Sequence, residues 1–330
     1  MSNNGKRLER LFQSAVVWDN HSCMPLREES SFLPQLERYR RAGVSVVSLN
    51  AGFGPLPWEE HIAVLSHMRR WIALHPAYYR LVSTADDLER SKCDGKLGVV
   101  FDIEGMGPVL EKVSLIQTFY ELGARWMLVA YNRSNSAGGG CLDPDAGLTA
   151  VGRSIIDEME RVGMVLCLSH TGARTAREAI EYARNPVIFS HANPYGDHPH
   201  PRNVSDELMR ACAAKGGVIG LTGAGPFLGE PDNLVERLLR QLHYVIDRIG
   251  PEHVGLSLDY QFDSRERDEW IRRFATLIPA GMATPGGLAM IGPEGFGAIA
   301  EGLAKSNLTD AAICGILGNN WLRIAKRVWR

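Results

Sequence analysis

One complete helix-and-strand unit is contained in residues 148–170, LTAVGRSIIDEMERVGMVLCLSH. Apolar residues recur there at spacings of three and four, which places them on one face of a helix. That face is formed by Leu148, Val151, Ile155, Met159 and Val162. The apolar run Met164–Leu168 follows at once and is typical of a strand buried on both sides. We therefore predict a helix that packs on a sheet, with His170 just beyond the end of the strand.

The same alternation of strand and helix extends along the whole chain. Eight short apolar runs predict strands, and a stretch with helical periodicity follows each of them. They are Ala15–Asp19, Val44–Leu49, Leu97–Ile103, Arg125–Ala130, Met164–Leu168, Pro186–Ser190, Gly217–Leu221 and His253–Leu258. Such units predict an α/β fold, a (β/α)8 TIM-type barrel, with an open doubly wound sheet as the alternative. Because no linker divides the sequence, residues 1–330 are predicted to form a single domain, with excursions after strands 2 and 8.

The charge balance argues against several classes of partner. The chain has 36 Lys and Arg residues against 38 Asp and Glu residues, a formal net charge of −2, and no long basic run. We therefore expect neither nucleic acid nor a membrane surface as a partner. The six cysteines include no CxxC pair, and the first residues lack an apolar run of signal-peptide length. These two features favour a protein of the reducing cytoplasm.

Polar residues that follow the predicted strands form the candidate site. In a parallel barrel the carboxyl ends of the strands meet at one rim, where functional groups lie. The residues at these positions are His21, Cys23, Glu104, Tyr131, His170, His191 and Asp259. Imidazole, thiolate and carboxylate groups are the ligands that bind zinc. A single histidine after a strand is more often structural, but three at separate strand ends indicate a metal site.

Two positions carry additional support for a metal. His21 and Cys23 are two residues apart, so in a strand both side chains point to the same side and can reach one ion. Glu104 ends an apolar strand, and a buried carboxylate there needs a cation or several hydrogen-bond donors. Taken alone, Cys23 is more simply explained as a small buried apolar residue.

The motifs around these residues resemble those of the membrane dipeptidase family, the renal-dipeptidase-like zinc peptidases, over nearly the whole chain. The matching stretches are DNHSCMP (19–25), FDIEGM (101–106), GLTAVGRSIIDEMERVGM (147–164), LSHTG (168–172), PVIFSHANP (186–194), RNVSDE (202–207), HVGLSLDY (253–260) and ILGNNWLRI (316–324). The resemblance implies a metal-dependent hydrolase with an amidohydrolase-like barrel. Such an enzyme cleaves the amide bond of dipeptides with a hydroxide that bridges two zinc ions.

The resemblance also implies roles for individual residues. The implied metal ligands are His21, Cys23, Glu104, His170 and His191. Glu104 would bridge the two ions, Arg202 would hold the terminal carboxylate of the substrate, and Asp259 would handle the proton. From the residues alone, Arg202 is instead a surface residue that precedes a helix capped by Asn203 or Ser205.

This chain departs from the family pattern at two positions. Cys23 stands where the family has an aspartate, and a thiolate is a softer ligand that favours zinc. Two zinc ions are expected, with a single ion as the alternative that Cys23 leaves open. Tyr131, in LVAYN (128–132), stands where the family has a histidine that supports the substrate carbonyl. Its hydroxyl can donate to a developing oxyanion, so Tyr131 is a candidate for both catalysis and substrate binding.

These departures leave two alternative functions open. The first is a tailoring hydrolase that acts on a modified amino acid, peptide or lactam. The second is a non-catalytic barrel that has lost one metal. For an enzyme of either kind, the expected partner is a small peptide or an amino-acid-derived substrate. The resemblance further implies a homodimer.

Overall fold

The computed structural model describes residues 3–229, 232–276 and 288–330, and its strands form one parallel sheet. They are β1 (Trp18–Cys23), β2 (Val46–Phe53), β3 (Tyr79–Leu81), β4 (Leu97–Glu104), β5 (Ala124–Leu128), β6 (Val165–Cys167), β7 (Ile188–Phe189), β8 (Val218–Leu221), β9 (Val254–Leu256) and β10 (Tyr260–Gln261). The hydrogen-bonded order is β10-β1-β2-β4-β5-β6-β7-β8-β9, and β3 pairs with β4 outside this path.

The predicted eighth strand corresponds to β9, and the additional short strand β10 directly after it closes the barrel. β9 pairs with β8, whereas β10, a short step further along the chain, pairs with β1. Between them, the amide of Asp259 donates to the carbonyl oxygen of His21 at 3.1 Å. The predicted eight-unit barrel is confirmed, and the open-sheet alternative is wrong.

The structure corrects the predicted start of the first strand and adds two short strands. β1 begins at Trp18 rather than Ala15, so His21 and Cys23 lie within the strand instead of after it. The sequence pattern did not predict β3 or β10. β3 has three residues and β10 has two, which is too few for an apolar period to show.

The helices alternate with the strands along the chain. Within the described ranges they are α1 (Asn3–Ser14), α2 (Glu37–Arg41), α3 (Trp58–Ala73), α4 (Ala85–Cys93), α5 (Leu115–Glu121), α6 (Ala150–Val162), α7 (Ala173–Tyr182), α8 (Asp206–Ala214), α9 (Gly225–Leu228), α10 (Leu234–Ile249), α11 (Ser264–Arg273), α12 (Gly295–Ala304), α13 (Asp310–Cys314) and α14 (Asn320–Val328). None of these helices has the length and apolar character needed to span a bilayer.

The two predicted excursions follow β2 and β10. The first contains α3, β3 and α4, which lie between β2 and β4 in the chain. The second contains α11 and continues through residues 277–287, which lie outside the described part of the chain.

Helix α6 confirms the predicted helix but corrects its buried face. Leu148 is buried yet precedes the first helical residue, and Val151 is 39% exposed. Gly152 and Ile156 are buried instead, beside the other three predicted residues. The buried stripe is therefore centred one residue further along the helix than the apolar spacing indicates.

The strands that the apolar runs predict are buried on both faces, whereas the short β3 and β10 are partly exposed. Val46 and Val47 are neighbours in β2, and Val99 and Val100 are neighbours in β4. In each pair one side chain joins the larger apolar cluster and the other joins a separate cluster. Because the strands are parallel, their carboxyl ends lie at the same rim of the barrel. The polar side chains at these ends therefore lie together at its mouth.

Candidate metal centre

Three of the predicted metal ligands meet closely at the mouth of the barrel. The Nε2 atoms of His170 and His191 lie 2.9 Å apart, and each lies 3.1 Å from Oε1 of Glu104. All three residues are buried. We call this group the histidine-pair site.

A second group joins the first strand to the eighth. Nε2 of His21 lies 3.6 Å from Sγ of Cys23 and 3.5 Å from Oδ1 of Asp259. Sγ of Cys23 in turn donates to Oδ1 of Asp259 at 3.8 Å. We call His21, Cys23 and Asp259 the thiol site. Glu104 lies within reach of both groups, because its Oε1 is also 3.6 Å from Nε2 of His21.

Each histidine is held at its other ring nitrogen, so that Nε2 faces the centre. The contacts are His21 Nδ1 with Asp102 Oδ2 at 3.2 Å, His170 Nδ1 with Asn132 Oδ1 at 2.7 Å, and His191 Nδ1 with Ser190 Oγ at 2.8 Å. Asn50 Nδ2 donates to the outer oxygen of Glu104 at 2.9 Å. Partners of this kind orient the ligands of metal sites in proteins.

The sequence motifs do not predict these supporting residues. Asp102 had a usable signal, since it precedes Glu104 by two residues in FDIE and therefore points to the same side of β4. Asn132 and Ser190 each neighbour a named residue in the sequence, but only the fold shows that they reach a histidine ring.

Burial dominates the electrostatics of the centre. It raises the pKa of three carboxyl groups, those of Asp102, Glu104 and Asp259, and the pKa of Glu104 reaches about 8. Burial also lowers the pKa of His170 and His191 well below the usual range, so both imidazoles are neutral at pH 7. At His21 the effect of burial, which lowers the pKa, is outweighed by Asp102 and its neighbours, and the pKa lies well above the usual range. The buried acids beside the neutral His170 and His191 form an environment that a cation stabilises.

The histidine pair offers a direct test of whether a metal fits. Nδ1 of His170 faces an amide oxygen, which only accepts, so the single proton of the neutral ring is on Nδ1. Nε2 of His170 therefore presents a lone pair to His191 and to Glu104. Lone pairs and a carboxylate that converge in this way repel one another unless a proton or a cation lies between them. The donor set fits a zinc ion.

The protonation state of the Cys23 thiol is set by the groups around it. Burial raises the pKa of Cys23 to about 12, although the nearby His21 opposes part of this shift. The thiol is therefore protonated without a metal, in agreement with its donation to Asp259. A coordinated cation deprotonates such a thiol, so His21 and Cys23 fit a zinc ion as well.

The backbone at the strand ends adopts conformations that side chains seldom allow. Asn132, His170 and Asp259 have φ angles of 59°, 63° and 59°, in the left-handed region. Among the described residues other than glycine, Asn233 alone shares this conformation. Such backbone strain is concentrated at functional sites, where it aims particular side chains.

Tyr131 lies beside the histidine-pair site and lines a cavity at the mouth. Its ring stacks on His170 with the centroids 4.3 Å apart and contacts Phe53 at 5.1 Å. The cavity has a volume of about 100 Å³, and Trp270 also lines it, together with the predicted ligands Cys23, Glu104 and His170. We call it the apolar cavity.

Arg202 is buried, which corrects its placement at the surface. It is 4% exposed, and its Nη2 donates to the carbonyl oxygen of His191 at 3.4 Å. It lines a second cavity of about 410 Å³, which His170 also lines and which we call the arginine cavity. The helix cap that follows is Ser205. The polar residues around Arg202 predict an exposed loop. In the folded barrel this loop turns inward and buries Arg202.

The fold defines a class, the parallel (β/α)8 barrels, and two solved structures share it. An amidohydrolase of Pseudomonas aeruginosa has the same fold, with a TM-score of 0.88 and 24% identity over 98% of this chain and 99% of the other. A metallo peptidase of Rhodobacter sphaeroides, solved with a phosphinate mimic of the dipeptide L-Ala-D-Ala, also has it. The TM-score is 0.78 and the identity 20%, over 96% of this chain and 99% of the other.

Sequence comparison gives the family. The profile of the family described as membrane dipeptidase (Peptidase family M19) matches residues 58–270, and the chain belongs to this family. An uncharacterised dipeptidase of Schizosaccharomyces pombe is 30% identical over 272 residues. The match covers 78% of this chain and 60% of that relative's length. The predicted resemblance is confirmed, although His21 and Cys23 precede the range that the family profile matches.

Proposed function

We propose that the chain is a metal-dependent hydrolase that cleaves the amide bond of dipeptides, and that residues 1–330 form one catalytic domain. In this proposal His21, Cys23, Glu104, His170 and His191 hold two zinc ions, with Glu104 shared between them. The observation that carries the proposal is the convergence of His170, His191 and Glu104 within 3.1 Å of one another. Family membership supports the same activity.

The chemistry assigns a task to each remaining group. When bound, two zinc ions would supply a water acidic enough to attack an amide carbonyl at neutral pH. Asp259 would accept the proton of that water and deliver it to the leaving amine. The Tyr131 hydroxyl would donate a hydrogen bond to the carbonyl oxygen as negative charge develops there. Arg202 would bind the terminal carboxylate of the substrate through its guanidinium.

Asp259 could act either as a proton carrier or as a metal ligand, and an experiment can distinguish these two roles. Its Oδ1 lies close enough to His21 and Cys23 to make it a third ligand of the thiol site. A proton carrier and a ligand respond differently to the change Asp259→Asn. If Asp259 carries the proton, the variant keeps its zinc and loses about 10²–10⁴-fold in kcat.

The test is the release of free amino acid from a panel of L,L and L,D dipeptides by the zinc-reconstituted protein. Zinc content is measured on the same samples, and Asp259→Asn is the comparison variant. We expect hydrolysis by the native chain and its loss in the variant, with the zinc content unchanged. Wild-type turnover in Asp259→Asn would exclude the assigned proton carrier. A chain without activity that holds fewer than two zinc ions would favour the non-catalytic barrel.

A tailoring hydrolase is the second candidate function, and Tyr131 favours it. The tyrosine stacks on His170 where the resemblance implies a histidine that supports the substrate carbonyl. The tyrosine hydroxyl lies further from the backbone than the ring nitrogen of a histidine does, so its hydrogen bond reaches a different point in the site. This suits a substrate whose carbonyl is positioned differently from that of a dipeptide, such as a modified amino acid or lactam. Activity on such a compound and none on ordinary dipeptides would establish this function.

A further inference from the structure

The two cavities at the barrel mouth differ in the chemistry of their walls. Arg202 supplies a buried positive charge to the arginine cavity. None of the described residues that line the apolar cavity is a lysine or arginine. His170 lines both cavities, so the histidine-pair site lies at their junction. A dipeptide has one anionic end and one cationic end, and the two cavities distinguish between them.

The wall of the apolar cavity is largely aromatic. Phe53 contacts Tyr131 and Trp270 with ring centroids 5.1 Å apart in both cases. Met24, Leu26 and Leu288 add aliphatic surface. The volume of about 100 Å³ is several times the roughly 10–15 Å³ that one water needs, so it has room for a large side chain.

Gln261, which lines the cavity, has a side-chain acceptor that lacks a donor. Oε1 of Gln261 is shielded from solvent and has no hydrogen-bond partner among the residues that the structure describes. Gln261 lies in β10 and pairs in register with Cys23, next to the thiol site. A buried acceptor without a partner is costly, and a ligand N–H group would satisfy it.

The charges around the cavity favour a cation at this end. Asp263 and Glu266 line it, and the guanidinium of Arg27 contacts them at 2.8 Å and 2.9 Å. Arg27 also pairs with Glu29, and the exposed Arg265 lies 3.7 Å from Asp263. Three carboxylates therefore share two guanidinium groups, which leaves this cluster with excess negative charge. A substrate carboxylate is therefore disfavoured here, whereas an ammonium group is attracted.

Resting on the proposed function, we infer that the apolar cavity binds the amino-terminal residue of the substrate and selects a large apolar side chain. The free ammonium group donates to Oε1 of Gln261, and the side chain packs against Phe53, Tyr131 and Trp270. The carboxylate end then extends toward Arg202 in the arginine cavity. The substrate class is a dipeptide with a free amino group and an aromatic or large aliphatic first residue.

The first experiment compares substrates. For the series glycyl-, alanyl-, leucyl- and phenylalanyl-alanine, we expect kcat/KM to rise at least about tenfold from the first member to the last. The reversed series, with alanine first, should vary much less. N-acetylation of phenylalanyl-alanine should remove most of the activity. Equal rates along the first series, or full activity on the acetylated peptide, would overturn the inference while leaving the dipeptidase proposal intact.

Two variants then test the residues. Trp270→Ala should lower kcat/KM for phenylalanyl-alanine, mainly through KM, by a larger factor than for glycyl-alanine. Trp71→Ala is the matched control, because Trp71 is also half-buried on a helix but packs against His75 and Tyr79. Gln261→Met, which keeps the size and removes the acceptor, should weaken binding of every substrate that has a free amino group.

A binding measurement separates this inference from the proposed hydrolysis. Phenylalaninamide has the free amino group and the aromatic side chain but no carboxylate. It should bind the zinc-loaded chain more tightly than glycinamide or N-acetylphenylalaninamide does. Trp270→Ala should reduce the preference over glycinamide, and Gln261→Met should reduce the preference over N-acetylphenylalaninamide. If no dipeptide is cleaved and these preferences still hold, the dipeptidase proposal fails and the cavity assignment stands. Equal binding of the three amides would refute the assignment.

Discussion

The histidine-pair site and the thiol site share Glu104 but are built differently. In the histidine-pair site the facing atoms lie 2.9–3.1 Å apart, and the ligands come from β4 and from the ends of β6 and β7. In the thiol site the separations are 3.5–3.8 Å, and the ligands come from the first and eighth strands, where the barrel closes. The first site uses only nitrogen and oxygen atoms, whereas the second includes a sulfur atom.

The difference in spacing agrees with the difference in ligand chemistry. A zinc–sulfur bond is about 2.3 Å long, compared with about 2.0–2.2 Å for bonds to nitrogen or oxygen. A site that includes Cys23 therefore needs wider spacing than one made of imidazole and carboxylate alone. If the proposed ligands hold zinc, one half of the centre has the ligand types that the resemblance implies, while the other half includes a softer ligand. Variants in each half test this division, beginning with Glu104, the residue that joins them.

Replacement of Glu104 by glutamine should have the largest effect. The change removes the negative charge next to His21, His170 and His191, so both sites should lose metal together. We expect zinc affinity to fall by more than the roughly 10–100-fold that loss of an outer partner costs, and hydrolysis to fall to background. Zinc content after gel filtration measures this, with Glu301→Gln on the exposed face of α12 as control. A variant that lost only one of two zinc ions would show that the two sites do not share Glu104.

Changes at Cys23 should affect the thiol site alone. Cys23→Ala should reduce the zinc content from two ions to one, whereas Cys23→Asp should keep two and accept manganese more readily. With cobalt in place of zinc, the native chain should show a sulfur-to-metal charge-transfer band in the near ultraviolet, and both variants should lack it. Cys141→Ala, at another half-buried cysteine, is the control that should keep the band. Persistence of the band in Cys23→Ala would exclude the sulfur as a ligand.

The supporting partners should rank by their charge. Asp102→Asn removes a carboxylate from Nδ1 of His21 and should weaken zinc binding at the thiol site by about 10–100-fold. Ser190→Ala removes only a neutral hydroxyl from His191 and should weaken zinc binding by about tenfold or less. Competition with a chelating dye measures both affinities. A larger loss in Ser190→Ala would contradict the distinction between the two sites.

Tyr39→Phe should produce the smallest effect. The change is expected to lower the stability of the fold where the barrel closes. The Tyr39 hydroxyl lies 2.9 Å from both Asp19 Oδ2 and Ser22 Oγ and donates its proton to the carboxyl group of Asp19. Asp19 also accepts from the backbone amide of Leu258, between β9 and β10. Loss of this buried donor should lower the free energy of unfolding by about 1–3 kcal/mol in urea, with the zinc content unchanged.

The control for this change removes the same hydroxyl from an exposed position. Tyr182 donates to Asp157 at the surface, and Tyr182→Phe should change stability by less than about 0.5 kcal/mol. Equal effects of the two substitutions would show that the contact between Tyr39 and Asp19 adds nothing to the closure.

The sequence was sufficient to predict the barrel and to name the residues now found at its mouth. Continuous apolar runs reveal strands buried on both faces, and the carboxyl ends of such strands must share one rim. Sequence patterns could not show which polar groups contact each other across strands, so Asn132 and Asn50 escaped notice. From the sequence alone, Arg202 is predicted to lie at the surface. In the structure its guanidinium lies over the ring of Phe227, a contact between distant parts of the chain that sequence spacing does not reveal.

The closure of the barrel also sets the order in which the centre can be completed during synthesis. Cys23 and Asp259 are 236 positions apart, whereas the histidine-pair site is complete in the chain once His191 has been made. A nascent chain that stops before β9 leaves the edge of β1 without its partner strand, and an unpaired edge invites association with other chains. An interrupted translation product would therefore expose this edge, and β10, the last strand to emerge, is the one that covers it.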